Sequence, residues 1–468
     1  MEKSGSNNHP FFSAASGYDP AAADKAVHIL GIVFNRRFFY ILSTIWALVS
    51  FGMWQSKATE DAETGKAMAC RIRQSLITLG VTFIKLGQFL SMRPDILPAQ
   101  LAEELSLLQD KVPPFSFAEV KDIVERELGK SLTELFDSFE IEPIASASIG
   151  QVHKAFLQDG PAVAVKVQRP GLAKIIYQDL GFMRLIARLG KIWHWRGDWQ
   201  AWLELTDDFG HSLFAEMDYL QEGRHADRLR KILRTMPAII IPRIIWRQTT
   251  KKVLTEELCQ GTKIDNGTTA RRQDIDLERL SAQLVDAYML QIFVNGYFHA
   301  DPHSGNFAVT EDGQLIIYDF GMVSYLTCVQ RQGLVNAITS VVNNDSPAFI
   351  ASLEELGIVS KISQESKDQL EKTIQPFLAF CQTSSAADIN LSELEKEMDQ
   401  LVKKQSLRLP ANLAYLIRTA VSLEGFVRML NPEFNFVRAA KPYFKPLVLK
   451  RLNGLNQPRP YKNNFNNN

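Results

Sequence analysis

The sequence predicts an α+β protein in which a helical preface leads into a strand-rich lobe and then a helix-rich lobe. Three observations predict this. Apolar β-branched runs bounded by turn residues fall between about residues 139 and 168, at 239–258 and at 314–320. Apolar residues at steps of three and four fill 68–129 ahead of them and 328–430 behind them. One helical stretch, 173–232, is inserted among the strands. With 468 residues, 46% hydrophobic and 10% aromatic, the chain can build more than one packed core. Lys+Arg and Asp+Glu are both 52, so no net charge argues for nucleic acid.

The elements follow in order. Residues 1 to about 22 are polar and small and lack the layout of a secretory signal. Arg36 and Arg37 precede an uncharged apolar run, 38–54. A spanning helix needs about 20 apolar residues, with about 17 as the floor. The run sits at that floor and is diluted by Ser43, Thr44 and Ser50, so an interfacial or buried helix is expected over a span. The basic pair, Trp46 and Trp54 would suit a bilayer surface. Residues 68–93 read as one amphipathic helix through Ile72, Leu76, Leu79, Phe83, Leu86 and Leu90, ended by Pro94. A second helix runs from about Pro98 to Asp110. A third, from Phe117 to Gly129, has Ser116 as its cap. Strands at 139–157 and 161–168 are joined at Asp159–Gly160; 239–246 and 251–258 read as two more. Helix returns over 277–296, then a strand at 314–320 follows the turn at Asp312–Gly313. The Pro- and Asn-rich end reads as disordered. The expected divisions are 1–67, 68–130, 131–262, 263–432 and 433–468, with a ligand cleft between the lobes 131–262 and 263–432. Cys70, Cys259, Cys328 and Cys381 are isolated, so neither a zinc ribbon nor a disulfide framework is indicated.

The chemistry is carried by four stretches. In "VAVKV" (163–167) Lys166 points away from its β-branched neighbours, as an edge lysine facing water also would. "ASASIGQV" (145–152) puts small residues where a phosphate-covering G-x-G-x-x-G-x-V loop has glycines. Ala145 and Ala147 replace the first two, while Gly150 and Val152 match. Small side chains, Ser148 among them, let backbone N–H groups approach phosphate oxygens; alanine makes the loop stiffer than glycine. Asp301 and Asn306 have the spacing of a phosphotransferase catalytic loop, with His299 two residues before the aspartate. Asp319 ends a strand in "DFG". Asn306 and Asp319 supply oxygens for Mg²⁺, Asp301 can orient or deprotonate an attacking hydroxyl or water, and Lys166 can hold the α- and β-phosphates of ATP. Glu222, on a helix with one apolar side, is the expected partner of Lys166. Each fragment alone is commonplace; in this order and spacing they form a set. A metal hydrolase using His299, Asp301 and His303 is the rival, but no other suitably spaced histidine pair supports it, and His303 reads better as a turn residue.

These residues carry a resemblance. The chain resembles the UbiB family, also called ABC1 or ADCK atypical kinases, through "FIKLGQFLSMRPDILP", "ASASIGQVHKA", "VAVKVQRPG", "EMDYLQE", "HADPHSGN" and "DFG" over about residues 80–325. The resemblance implies a bilobal protein-kinase-like fold whose N-terminal helical extension covers the cleft. It implies a K-x-G-Q motif (Lys85, Gly87, Gln88) over the nucleotide, faced by the E-x-D carboxylates Glu216 and Asp218. It implies an ATPase or small-molecule kinase tied to ubiquinone, plastoquinone or related prenyl lipids at a membrane surface, facing the cytoplasm or an organelle equivalent, with quinone-biosynthesis proteins as possible partners. Ala300 stands where ordinary kinases have the catalytic-loop arginine, and no A-P-E segment follows Gly321. The alternatives are a nucleotide-sensing scaffold with weak turnover and a small-molecule kinase like the aminoglycoside and choline kinases, which lack the K-x-G-Q preface.

Overall fold

The computed structural model describes residues 17–29, 36–55, 62–91, 97, 99–108, 112–158, 160–192, 199–264, 276–359, 370–371, 374–375, 410–434 and 439. The chain divides into two compact units, Met1–Asp227 with Pro242–Cys259, and Arg228–Ile241 with Gln260–Asn468.

In the first unit, helices α1 (Pro20–Ile29), α2 (Arg36–Gln55), α3 (Ala62–Leu79), α4 (Val81–Ser91) and α5 (Ala99–Ser106) share one core with α8 (Leu172–Ile192) and α9 (Trp199–Glu216). The apolar run 38–54 is α2. Phe38, Ile41, Ile45 and Leu48 lie on its buried side, each stabilising by about 1.5–3 kcal/mol. Phe39, Tyr40 and Trp46 lie on its exposed side, at 53%, 56% and 51% accessibility. Among the described residues no helix is long and apolar enough to cross a membrane. Arg37, expected to flank a bilayer, instead grips the buried Asp179 with two bonds of 2.8 and 2.7 Å and caps the Leu79 carbonyl at 3.0 Å. The Trp54 side chain lies outside the described residues. α1 is fixed by Arg184, which is buried between Asp24 and Asp207.

The single helix expected over 68–93 is two helices. It starts earlier, at Ala62, and breaks at Gly80, whose φ of 91° is open to glycine and not to the helix. Pro94 lies outside the described residues. Helix α6 (Phe117–Leu128) has the expected cap: Ser116 Oγ accepts from Glu119 N, Glu119 Oε2 accepts from Ser116 N, and Gly129 closes the other end at φ 69°.

The strands of this unit are β1 (Phe136–Phe139), β2 (Ala145–Ser146), β3 (Gly150–Leu157), β4 (Ala162–Gln168) and β6 (Val253–Glu257), in antiparallel order β1-β3-β4-β6 with β2 on β3. Val163, Val165 and Val167 face one way and pack on Val120, Ile123 and Val124 of α6 and on Leu132 and Leu135 of the short α7 (Leu132–Leu135). The period of two then sends Lys166 to the opposite face. The strand expected at 239–246 is reduced to β5 (Ile239–Ile240). Pro242 has no N–H to continue the ladder, and Ile244 makes only an isolated bridge to Glu256. Helix α10 (Tyr219–Ile232) carries the chain from the first unit into the second.

In the second unit, β7 (Thr262–Lys263), β9 (Phe307–Val309) and β10 (Leu315–Ile317) join β5 in the order β5-β10-β9-β7. The β9–β10 hairpin turns at Gly313, φ 76°. Strands β8 (Tyr297–His299) and β11 (Val323–Tyr325) form a separate antiparallel pair. The helix expected to Gly296 is α11 (Leu277–Met289), continued by a wide π-turn at Leu290–Asn295. Helices α12 (Cys328–Asn343), α13 (Ser346–Leu356) and α14 (Ala411–Leu430) follow. Phe307 stacks on Phe426 at 5.2 Å, and Thr419 Oγ1 donates to the Ala300 carbonyl, so α14 backs the loop at 300–306. Most of 360–409, Cys381 and the tail lie outside the described residues.

Candidate active site

The first unit holds the cationic half of the expected set. Lys166 lies mid-strand on β4, opposite Val152 on β3 and Leu254 on β6. Its Nζ donates to both oxygens of Glu222, at 2.8 and 2.9 Å, and sits 5.0 Å over the Tyr219 ring. Glu222 is in the first turn of α10 and its side chain is 4% exposed. A bidentate ammonium–carboxylate contact in that setting fixes the lysine's direction more than its stability.

Tyr219 is a residue that motif spacing does not single out. It is fully buried, and its hydroxyl fills the space where a Cβ on Gly150 would stand, 2.6 Å away. The same Cβ would meet the Val167 carbonyl at 2.5 Å. Glycine at 150 is therefore a packing requirement. Ala145 and Ser146 form β2 against Val152 and Gln151, and Ala147 N donates to the Gly150 carbonyl at 2.8 Å, closing the loop. Ser148 is wholly buried and its Oγ has no hydrogen-bond partner.

Lys85 on α4 forms an ion pair with Glu216, the last residue of α9. Gln88, one turn on, donates from Nε2 to the Leu108 carbonyl at 3.2 Å. Between them Gly87 faces Leu76, Leu105 and Leu108, and an added Cβ would overlap Leu108. The E-x-D carboxylates divide. Glu216 meets Lys85, whereas Asp218 Oδ1 accepts from Leu220 N and Gln221 N and so caps α10.

The second unit holds the oxygen donors. Asp301 precedes, and Asn306 ends, a short 3₁₀ turn, Ser304–Asn306. Asn306 Nδ2 donates to the Asp301 carbonyl and to Asp301 Oδ2, both at 3.1 Å, which engages the amide nitrogen and leaves the amide oxygen as the acceptor of the side chain. Tyr318 N donates to the Asn306 carbonyl at 2.9 Å, so Asp319 starts one residue from Asn306 across the hairpin. Asp319 has φ 55°, a left-handed conformation costing a non-glycine residue about 1–2 kcal/mol. Its Oδ1 accepts from Gly321 N at 3.0 Å, and its carbonyl accepts from His299 Nε2 at 2.8 Å.

His299 explains how that strain is held. Its Nδ1 meets the Tyr288 hydroxyl at 2.9 Å, and its backbone N–H donates to Gln291 Oε1 at 2.9 Å. Burial raises the Tyr288 pKa well above its ordinary value, with the Asp301 charge adding to it, so Tyr288 keeps its proton and donates. His299 then carries its proton on Nε2, aimed at Asp319. Phe320, fully buried, lies edge-on to the same ring at 6.1 Å. Tyr288 and Gln291 were not visible in the motif spacing. Both ring nitrogens of His299 are thus engaged by protein, and His303 Nδ1 accepts from Gly305 N at 3.1 Å as a turn residue. Among the described residues no group of three His, Cys, Asp or Glu is placed to hold a metal ion. The amide oxygen of Asn306 and the carboxylate of Asp319 are hard oxygen donors that fit Mg²⁺ when phosphates and water complete its shell.

A family model described as the ABC1 atypical kinase-like domain matches residues 107–353, more than half of the chain. The chain belongs to the ABC1 atypical kinase-like family. A second family model, the UbiB helical domain, matches residues 379–435. This ABC1 chain is 36% identical over 386 residues to the uncharacterized protein sll1770 of Synechocystis, covering 82% of this chain and 66% of that one. It is 35% identical over 430 residues to the Arabidopsis thaliana protein named Activity of BC1 complex kinase 7, chloroplastic, covering 92% of this chain and 61% of that one. The chain thus spans 66% and 61% of the length of these two curated relatives. Rv3197 of Mycobacterium tuberculosis, solved as a complex with erythromycin, matches 76% of this chain and 90% of its own with a TM-score of 0.50 and 23% identity, a likeness of fold alone.

Proposed function

We propose that this ABC1 chain is an ATP- and Mg²⁺-dependent phosphotransferase or ATPase acting at a membrane in isoprenoid-quinone or prenyl-lipid metabolism. The observation that carries the reading is the bidentate hold of Glu222 on Lys166, the lysine–glutamate pair that kinase chemistry requires of its small lobe. Lys166 binds the α- and β-phosphates, and Glu222 keeps its ammonium on target. The loop of Ala145, Ala147, Ser148 and Gly150 covers the phosphates, with Val152 packed behind it. Asp301 orients the attacking hydroxyl or water and accepts its proton. Asn306 and Asp319 would hold Mg²⁺, which when bound offsets the charge developing on the transferred phosphoryl group. Lys85 and Gln88 restrict what enters beside the nucleotide, which favours a small acceptor or water over a protein segment. The exposed aromatic side of α2, with Phe39, Tyr40 and Trp46, supports peripheral contact with a lipid surface on the cytoplasmic or equivalent organellar side. The relative's name, a chloroplastic BC1 complex kinase, agrees with an organellar setting for that protein. Quinone-biosynthesis proteins remain candidate partners.

The test is ATP hydrolysis by the full chain with and without lipid vesicles and a phenolic quinone-precursor mimic, beside Mg-nucleotide binding. Asp319→Asn is expected to abolish Mg-dependent binding and turnover together. Full turnover with unchanged affinity would refute the assignment. Clear binding with background hydrolysis under every condition would favour the nucleotide-sensing scaffold.

A further inference from the structure

We propose that Arg169 is a positioning residue that latches the Ala-rich loop to a strap, Val112–Phe115, so that the strap sets the posture of the loop over bound phosphate. The inference rests on the nucleotide reading above and adds to it a residue outside the expected site.

The strap reads Val-Pro-Pro-Phe. Its two prolines have no N–H and fixed φ, so they cannot donate to a ladder, and the strap's carbonyls are open to side-chain donors. The loop supplies them. Ser146 Oγ donates to the Val112 carbonyl at 2.8 Å. Arg169 Nη2 donates to the Pro113 carbonyl at 2.9 Å and reaches the Ala147 carbonyl at 3.4 Å, joining strap and loop through one nitrogen. The Arg169 guanidinium stacks over the Phe115 ring at 5.3 Å, and its backbone N–H donates to the Ile149 carbonyl at 2.7 Å. Gln151, just past the loop, takes Phe115 N at 2.8 Å on Oε1 and donates to the Phe115 carbonyl at 3.3 Å.

An arginine whose task was charge pairing would have a carboxylate. Among the described residues Arg169 has no ion pair, its Nε is buried without a partner, and burial pushes its pKa down with Glu119 opposing. A guanidinium held at that cost is placed for the flat face it lays on Phe115 and for the two carbonyls its terminal nitrogen bridges. What it positions includes Ser148, whose buried, unpartnered Oγ lies in the same loop. The strap in turn follows Leu108, the residue that Gln88 of the K-x-G-Q helix bonds.

The experiment compares the full chain with Arg169→Ala and Arg169→Lys by hydrogen exchange read by mass spectrometry, and by MgADP titration. Lysine keeps the charge and loses the flat face that stacks on Phe115. Both variants should exchange faster at 112–116 and 145–151, with 85–91 unchanged. Both should weaken MgADP binding by about tenfold, as when the competent loop posture falls to about a tenth of the population. Unchanged exchange at both segments in Arg169→Ala would overturn the latch. So would full affinity in Arg169→Lys, which would assign Arg169 to phosphate charge. If the natural chain binds no MgADP, the nucleotide reading fails, whereas faster exchange at both segments in the variants still supports the latch.

Discussion

Replacing Lys166 by methionine gives the clearest separation of stability from function. The change leaves the Glu222 carboxylate, 4% exposed, without the ammonium that touches both its oxygens. Removing one partner of a buried pair costs about 3–5 kcal/mol. The Lys166 side chain is 22% exposed, which argues for the lower end. An independent ceiling comes from proton uptake: keeping an ordinary glutamate neutral at pH 7 costs about 3.7 kcal/mol, that is about 2.7 units at about 1.36 kcal/mol each. The two routes agree on about 3 kcal/mol. The second adds a sign. Because uptake becomes easier in acid, the deficit should shrink toward about 1 kcal/mol at pH 5.

The assay is urea unfolding followed by tryptophan fluorescence. All seven tryptophans, at 46, 54, 193, 195, 199, 202 and 246, belong to the first unit, so the signal reports the unit that holds the pair. Lys166→Met with Glu222→Gln should recover to within about 1 kcal/mol of the natural chain, since no charge is then stranded. Mg-nucleotide binding should be lost in the single and the double variant alike. A Lys166→Met deficit below about 1 kcal/mol, or a double variant as unstable as the single, would refute the reasoning that the Glu222 carboxylate depends on this ammonium.

Gly87→Ala should cost about 1–3 kcal/mol in the same unfolding assay, because its Cβ would overlap Leu108 and come within 2.9 Å of Leu76 Cδ1; a neutral result would mean that α4 is not closely packed on Leu76 and Leu108. If α2 meets lipid as proposed, Trp46→Ala should weaken partition onto phosphatidylglycerol vesicles by about tenfold, since about half of its surface is exposed, and equal partition would remove α2 from the proposed contact. His153 is buried and neutral: Nδ1–H donates to the Glu140 carbonyl, Nε2 accepts from Gln151, and burial lowers its pKa. The unfolded chain therefore takes up a proton at higher pH than the folded one, and stability falls as pH drops below about 6.5. His211, also lowered by burial, contributes in the same sense, so His153→Gln should flatten only part of the fall between pH 7.5 and 5.5. An unchanged slope in denaturation midpoint would exclude His153.

What the sequence made legible was local. The capping box at Ser116, the strand facing of Lys166 and the Asp301–Asn306 turn each depend on residues within a few positions of one another, and spacing encodes them directly. Contacts made across long separations were not legible. Arg37 binds Asp179 across 142 residues, and Arg169 meets Pro113 across 56, and no periodicity marks either. The helix break at Gly80 was hidden for another reason: apolar residues keep helical spacing through it, and one glycine with positive φ does not disturb that pattern. The lost strand at 239–246 is the converse, an apolar run whose Pro242 cancels the ladder that composition favoured.

The Ala-rich loop shows where glycine is dispensable and where it is not. Ala145 is exposed and extended in β2, and Ala147 is only half-buried, so each has room for a methyl group. Gly150 has none, because the Val167 carbonyl and the Tyr219 hydroxyl occupy the place of its Cβ. Tyr219 also carries the Lys166 ammonium over its ring. A methyl at 150 would therefore act on the lysine through the tyrosine, whereas a methyl at 145 or 147 stiffens the loop without touching it. Positions 145 and 147 and position 150 thus answer different constraints: backbone freedom of the loop at the first two, and close packing beneath the loop at the third.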